Sequence, residues 1–108
     1  MKKILLLLMF IFSIFLSCEK NDIVTVVYAE TRCANAWERG ETNAETIYNI
    51  EVYLQSESIN PEEIWISARL SNGPFCDLCN CWYGRLIYAK INYSDFEKIK
   101  KLGFKLDI

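Results

Sequence analysis

Four cysteines are the residues of this chain whose type and spacing can do chemistry: Cys33 alone, and Cys76, Cys79 and Cys81 in one Cys-x-x-Cys-x-Cys run. Three chemistries are open to them. Paired, they form two disulfides, the common staple of a small exported domain. Reduced, Cys33, Cys76, Cys79 and Cys81 can offer four thiolates to zinc, copper(I) or an iron–sulfur centre. Cys76 and Cys79 alone have the spacing of a dithiol oxidoreductase. Such catalysts place the first cysteine at a helix N-terminus, however, whereas Asn72-Gly73-Pro74 reads as a turn leading into another loop.

Other catalysis finds little material. The chain has no histidine, which removes histidine-based triads, imidazole metal ligands and the usual general base near neutral pH. Glu62-Glu63 and Glu38 form no separated pair of carboxylates and read as solvated charges. No residue is assigned a catalytic role, and no enzyme is expected. The aromatic residues give a different lead, because Trp37 lies near Cys33 and Trp82-Tyr83 follow Cys81 directly. Large amphipathic rings suit a binding patch, and equally suit a cover over disulfides and core. Trp65, alternating outward on a strand, is a further exposed ring.

The elements that must position these residues follow from periodicity. Ile23 to Tyr28 is rich in β-branched residues and reads as a strand, followed by an aperiodic loop from Thr31 to Gly40. Thr42 and Glu45 have capping-box spacing, and Ile47, Ile50 and Leu54 recur at helical spacing until Asn60-Pro61 ends the helix. Ile64 to Leu70 alternates as a strand, and so does Leu86 to Tyr93. Ser94 and Glu97 predict a second capping box, Phe96, Ile99 and Leu102 line one side of a short helix, and Gly103 stands at its left-handed cap. Phe104, Leu106 and Ile108 alternate as a short last strand.

The order β-α-β-β-α-β resembles the ferredoxin-like split β-α-β architecture, an α+β fold with both helices on one face of an antiparallel sheet. A single such domain is expected over residues 23–108. In that topology the loop after the first strand and the loop between the second and third strands emerge at the same end of the sheet. Cys33 is then brought to Cys76, Cys79 and Cys81.

The N-terminus has a separate meaning. Met1-Lys2-Lys3 is a basic start, Ile4 to Leu16 is apolar apart from Ser13, and Glu19-Lys20-Asn21-Asp22 end the run sharply. The run is too short to span a bilayer, which takes about 20 apolar residues. With Phe15-Leu16-Ser17-Cys18 at its end, the segment resembles the signal peptide and lipobox of bacterial lipoproteins, with Phe15 where that family usually has Leu. The resemblance implies removal of residues 1–17, a diacylglycerol and an acyl chain on Cys18, and residues 18–22 as a tether. Glu19 to Asp22 reach roughly 13 Å when extended, which keeps the domain near the membrane of the cell envelope.

Lipid on Cys18 leaves four cysteines in a compartment that permits disulfides. A Cys79–Cys81 bond closes a ring that is too small for ordinary disulfide geometry, which disfavours it together with its complement, Cys33–Cys76. Two pairings stay open: Cys33–Cys79 with Cys76–Cys81, and Cys33–Cys81 with Cys76–Cys79. The position of Cys33 also resembles the copper loop of heavy-metal-associated domains, but those carry a full Cys-x-x-Cys there and this chain carries one cysteine. Loss of Lys2 and Lys3 leaves ten basic against fourteen acidic side chains, a net charge of −4, which argues against a nucleic-acid partner. The expected protein is a membrane-anchored, disulfide-stapled lipoprotein with a binding or structural role and no cofactor beyond its lipid. A thiolate metal-binding lipoprotein for copper or zinc is the alternative, and a thiol–disulfide oxidoreductase through Cys76 and Cys79 is the third reading.

Overall fold

The structure, a computed structural model, describes residues 22–70 and 76–108. The signal segment, Cys18, most of the tether and the Asn72-Gly73-Pro74 turn lie outside the described residues. The chain forms β1 (Ile23–Thr31), α1 (Asn43–Ser56), β2 (Glu63–Ile66), β3 (Trp82–Asn92), a 3₁₀ turn (Tyr93–Asp95), α2 (Phe96–Lys101) and β4 (Lys105–Leu106). The strands make one sheet in the order β2-β3-β1-β4, and every neighbouring pair is antiparallel.

Each strand alternates between a face that meets the helices and a face that does not. Val26 of β1 and Ile87, Ala89 and Ile91 of β3 point inward, and Ile50 and Leu54 of α1 and Ile99 of α2 join them in a single core. Ile59 and Phe104, just beyond the two helices, and Trp37, from the loop after β1, complete it. Both helices therefore cover one face of the sheet, as an amphipathic stripe on each requires. On the other face the Trp65 ring stacks on Tyr88, with ring centroids 5.3 Å apart. Trp65 thus packs under neither helix, and it has a strand neighbour for a partner.

The last strand is only Lys105–Leu106, with Ile108 exposed beyond it, and Tyr93 belongs to the 3₁₀ turn; three larger differences from the sequence expectation lie together at one end of the sheet. β1 runs on to Thr31, and β3 begins at Trp82 instead of Leu86. β2 stops at Ile66, so Leu70 lies exposed beyond it. The alternation of Ile64 to Leu70 persists, but regular pairing does not. Opposite this segment Gly84 takes φ +104°, and the register of β1 against β3 shifts between Ala29 and Thr31. An irregularity of that kind bends a strand and strengthens its twist, which ends the ladder early. Two backbone bonds still hold the segment beside β3, from Ser67 N to Leu86 O and from Leu70 N to Gly84 O, each 2.9 Å.

Candidate functional site

The end of the sheet where β1 stops and β3 starts is where the cysteines meet. Arg32 N donates to Cys81 O at 2.9 Å and Cys33 N to Cys79 O at 3.0 Å, so the two loops lie side by side. That register sets Cys33 opposite Cys79. Disulfides join Cys33 to Cys79, with Cα atoms 4.6 Å apart, and Cys76 to Cys81, with Cα atoms 5.7 Å apart. Of the two pairings open to the sequence, this is the one that forms. Cys76 is therefore bonded to Cys81 and not to Cys79, the partner that a Cys-x-x-Cys redox pair requires. All four sulfurs are taken up as disulfides, and among the described residues no group of three or more His, Cys, Asp or Glu is placed to hold a metal ion.

Beside the disulfides lies a charged cluster that the motif search had not singled out. Glu30 continues the inward face of β1 after Val26 and Tyr28, and its side chain is fully buried. A buried carboxylate needs a charged or hydrogen-bonded partner, and Arg85, on the inward face of β3, supplies both. Arg85 Nε donates to Glu30 Oε1 at 3.1 Å and Nη2 to Oε2 at 2.9 Å, a bidentate fork. Its Nη1 donates to Asn43 Oδ1 at 2.7 Å, which ties the fork to the start of α1. Arg39, from the loop after β1, adds a second guanidinium 3.2 Å from Glu30 Oε1, and it donates to Thr31 O at 2.9 Å.

Tyr83 is the hub of the cationic side. The guanidinium of Arg39 lies 3.7 Å from its ring centroid, that of Arg69 4.0 Å and that of Arg85 5.3 Å. Arginine over an aromatic face is favourable, and packing three around one ring fixes their positions. Arg32 completes the set, with Nε donating to Cys76 O at 2.6 Å and a looser pairing with the exposed Asp77 at 3.6 Å. All four arginines of the chain thus collect at the disulfide end. A sequence signal for the cluster did exist. Glu30 and Arg85 lie just outside the strands read as Ile23 to Tyr28 and Leu86 to Tyr93, and only the alternation carried past those limits would flag each as a charge in need of a partner.

The structure divides the three aromatic residues proposed as a patch. Trp37 is only 7% exposed and belongs to the core, with ring centroids 4.9 Å from Tyr28 and 5.8 Å from Tyr53. It offers no free ring to a partner, because the loop after β1 folds back over the helix-facing side of the sheet. Trp82 and Tyr83 are half-buried as the opening residues of β3, where Trp82 Nε1 donates to Arg85 O at 3.0 Å.

An open cleft of about 410 Å³ lies along this loop, with Arg32, Trp37, Glu38 and Arg39 on its walls. A shallower one of about 320 Å³ lies between Trp37 and the Tyr48 and Val52 side of α1. Two buried donors of this loop stand out. The indole N–H of Trp37 and the Nε–H of Arg39 are both buried without a hydrogen-bond partner. A buried donor left unpaired costs roughly 1–3 kcal/mol, so native proteins seldom keep one without a reason. The nearby Tyr28 phenol, whose hydroxyl donates to Asn35 Oδ1 at 3.1 Å, is harder to ionise than usual. Burial is the main cause, and the negative charge of Glu30 adds to it.

No protein-family model matches this sequence, and neither a curated protein nor a solved structure matches it. Among the described residues no helix is long and apolar enough to cross a membrane.

Proposed function

We propose that this chain is a lipid-anchored protein of the bacterial cell envelope, whose ferredoxin-like domain is a binding or structural module and not a catalyst. The observation that carries the reading is the pairing of four cysteines across two distant loops. Disulfides of this kind belong to an oxidising compartment, and they leave Cys18, at the end of a signal-like run, with none of these four as a partner. For the ferredoxin-like part, the support is the order of elements, with β1 and β3 side by side at the centre of the sheet and a helix after each. The copper or zinc alternative, through Cys33, Cys76, Cys79 and Cys81, requires both disulfides to be reduced first.

The direction of β1 supports an orientation as well. Its first residue, Ile23, follows the tether, and the nine-residue strand carries the chain to the disulfide end. At about 3.3 Å per residue that end stands roughly 27 Å from the start of the strand, so it faces away from the bilayer. The module presents its arginine and disulfide end to the envelope space.

Fractionation of a bacterium expressing the full chain tests the anchor. The wild type is expected in the membrane fraction with an intact mass increased by lipid and no thiol labelled by an alkylating reagent before reduction. Cys18→Ala is expected in the soluble fraction or retained as unprocessed precursor. A wild-type protein without lipid removes the anchor, and labelling of four thiols without reductant removes the disulfide module.

A further inference from the structure

We infer that the end of the domain where β1 begins is a docking surface for the bilayer itself, seated on zwitterionic phospholipid headgroups through Ile23, Tyr93 and Ile108. The inference deepens the reading of the chain as lipid-anchored and rests on it. Among the described residues seven large apolar or aromatic side chains are left exposed, and three of them gather at this end. Ile23, the first residue of β1, is 45% exposed and pairs with Asn92. Tyr93, which follows Asn92, is 58% exposed, and its N–H donates to Asp22 O at 2.8 Å. β4 runs antiparallel to β1, with Leu106 opposite Val26 and Asp107 N donating to Thr25 O at 3.1 Å, so the exposed Ile108 lies back toward Ile23.

The tyrosine is held where it is. Its ring stacks on Phe96, with centroids 5.9 Å apart and planes 7° from parallel, and Phe96 in turn packs against the core. An apolar ring with a polar tip suits the level of the headgroups, and a ring already fixed loses little freedom on contact. The chain before β1 selects the occupant. Cys18 precedes Asp22 by four residues, so lipid on its sulfur enters the bilayer within roughly 13 Å of Ile23. The membrane is then the partner at the highest local concentration, and a patch too small to hold a free membrane suffices beside the anchor.

Charge selects the headgroup. Asp22, Glu62 and Glu97 stand exposed around this end, while Lys90 and Lys98 are engaged with Glu63 and Asp95. The other lysines of the domain, Lys100, Lys101 and Lys105, lie on α2 and β4, which lead away from it until Lys105 stands opposite Val27. An end with an excess of carboxylates is repelled by an anionic surface over a Debye length, about 8 Å at physiological salt, and accepts a zwitterionic one.

The test is nitrogen-15 NMR of the full chain, as processed by the bacterium that expresses it, in phosphatidylcholine nanodiscs doped with lipid spin-labelled high on the acyl chain. Intact mass of the same sample reports the lipid first. The amides of Ile23, Tyr93 and Phe96 are expected to broaden most, and those of Arg69 and Asn80 at the disulfide end least. The double change Ile23→Ser with Tyr93→Ser leaves the tether as it is, and is expected to cut the broadening at Phe96 about threefold with an unchanged melting temperature. Tyr93→Ser alone, outside the sheet, is expected to give a smaller loss of the same kind. Exchanging half of the phosphatidylcholine for phosphatidylglycerol is expected to weaken the broadening about twofold at low salt, and added salt to restore it. A flat profile, or one that both variants leave unaltered, overturns the contact, because the tether alone then accounts for it. Stronger broadening with phosphatidylglycerol overturns the zwitterionic surface, and broadening that follows protein density without the spin label overturns the bilayer in favour of a second copy. A lipidated chain with a flat profile leaves the anchor standing, whereas a chain without the mass of lipid removes anchor and contact together.

Discussion

Glu30 shows what one residue can impose on a small domain. Its carboxylate is fully buried at the end of β1 and is held by Arg85 in a fork and by Arg39 at one oxygen. Whether such a group stabilises the fold relative to apolar residues of similar size is a separate question from what its removal does. Glu30→Gln keeps the shape and strands two guanidiniums, so a loss of about 3 kcal/mol is expected, at the lower end for a broken buried pair because both arginines retain some contact with solvent. The shift in denaturant midpoint measures it. The double change Glu30→Gln with Arg85→Met should recover part of the loss, and a double variant as unstable as the sum of the singles would show that the two side chains are not coupled. In the sequence, Glu30 stands beyond the strand read as Ile23 to Tyr28, and neither its place in β1 nor its partners were legible. Arg85 is 55 positions away, and Arg39 stands in a loop without periodicity, so nothing local could join them.

At the scale of elements, local rules succeeded where a side chain acts on its own helix. Thr42 caps α1 as its spacing predicts, with Oγ1 accepting from Glu45 N at 3.1 Å. Glu45 departs from the ideal box and accepts from Glu41 N, one residue further out. Thr42→Ala is expected to cost about 1 kcal/mol and to lower the melting temperature by about 4–8 °C, which calorimetry would read. The second box, Ser94 with Glu97, does not form. Ser94 is absorbed into the 3₁₀ turn, and α2 starts at Phe96 with no side-chain cap. Gly103 does take the left-handed conformation expected of it, with φ +103° after α2. The strand ends were the least legible elements. Their limits depend on a register shift and on Gly84, which act between strands and leave no mark on the alternation of either one.

For the molecule as a whole, the two disulfides differ in reach and hence in effect. Cys33–Cys79 spans 46 positions and Cys76–Cys81 only 5. In the chain-entropy model these loops correspond to about 4 and about 2 kcal/mol of restraint on the unfolded chain. The double variant Cys33→Ser with Cys79→Ser should therefore lose about twice the stability of the double variant Cys76→Ser with Cys81→Ser, as read from denaturant midpoints. The opposite order would mean that the short bridge does its work in the folded state. The convergence of the cysteines was legible from topology, whereas the choice of pairing was decided by the backbone bonds that set Cys33 against Cys79.

β1 is long, and among the described residues its outer side meets β4 at Val26 and Val27 and Asp107 N at Thr25 O, 3.1 Å. Beyond that point Asn35 acts as a substitute strand, its Oδ1 accepting from Thr31 N at 2.9 Å and its Nδ2 donating to Thr31 O at 3.0 Å. One side-chain amide thereby fills both backbone positions that a neighbouring chain would use to extend the sheet. The tip of this edge, an inviting seed for edge-to-edge aggregation, is thereby closed by side chains, Asn35 first and Arg39 on the same carbonyl.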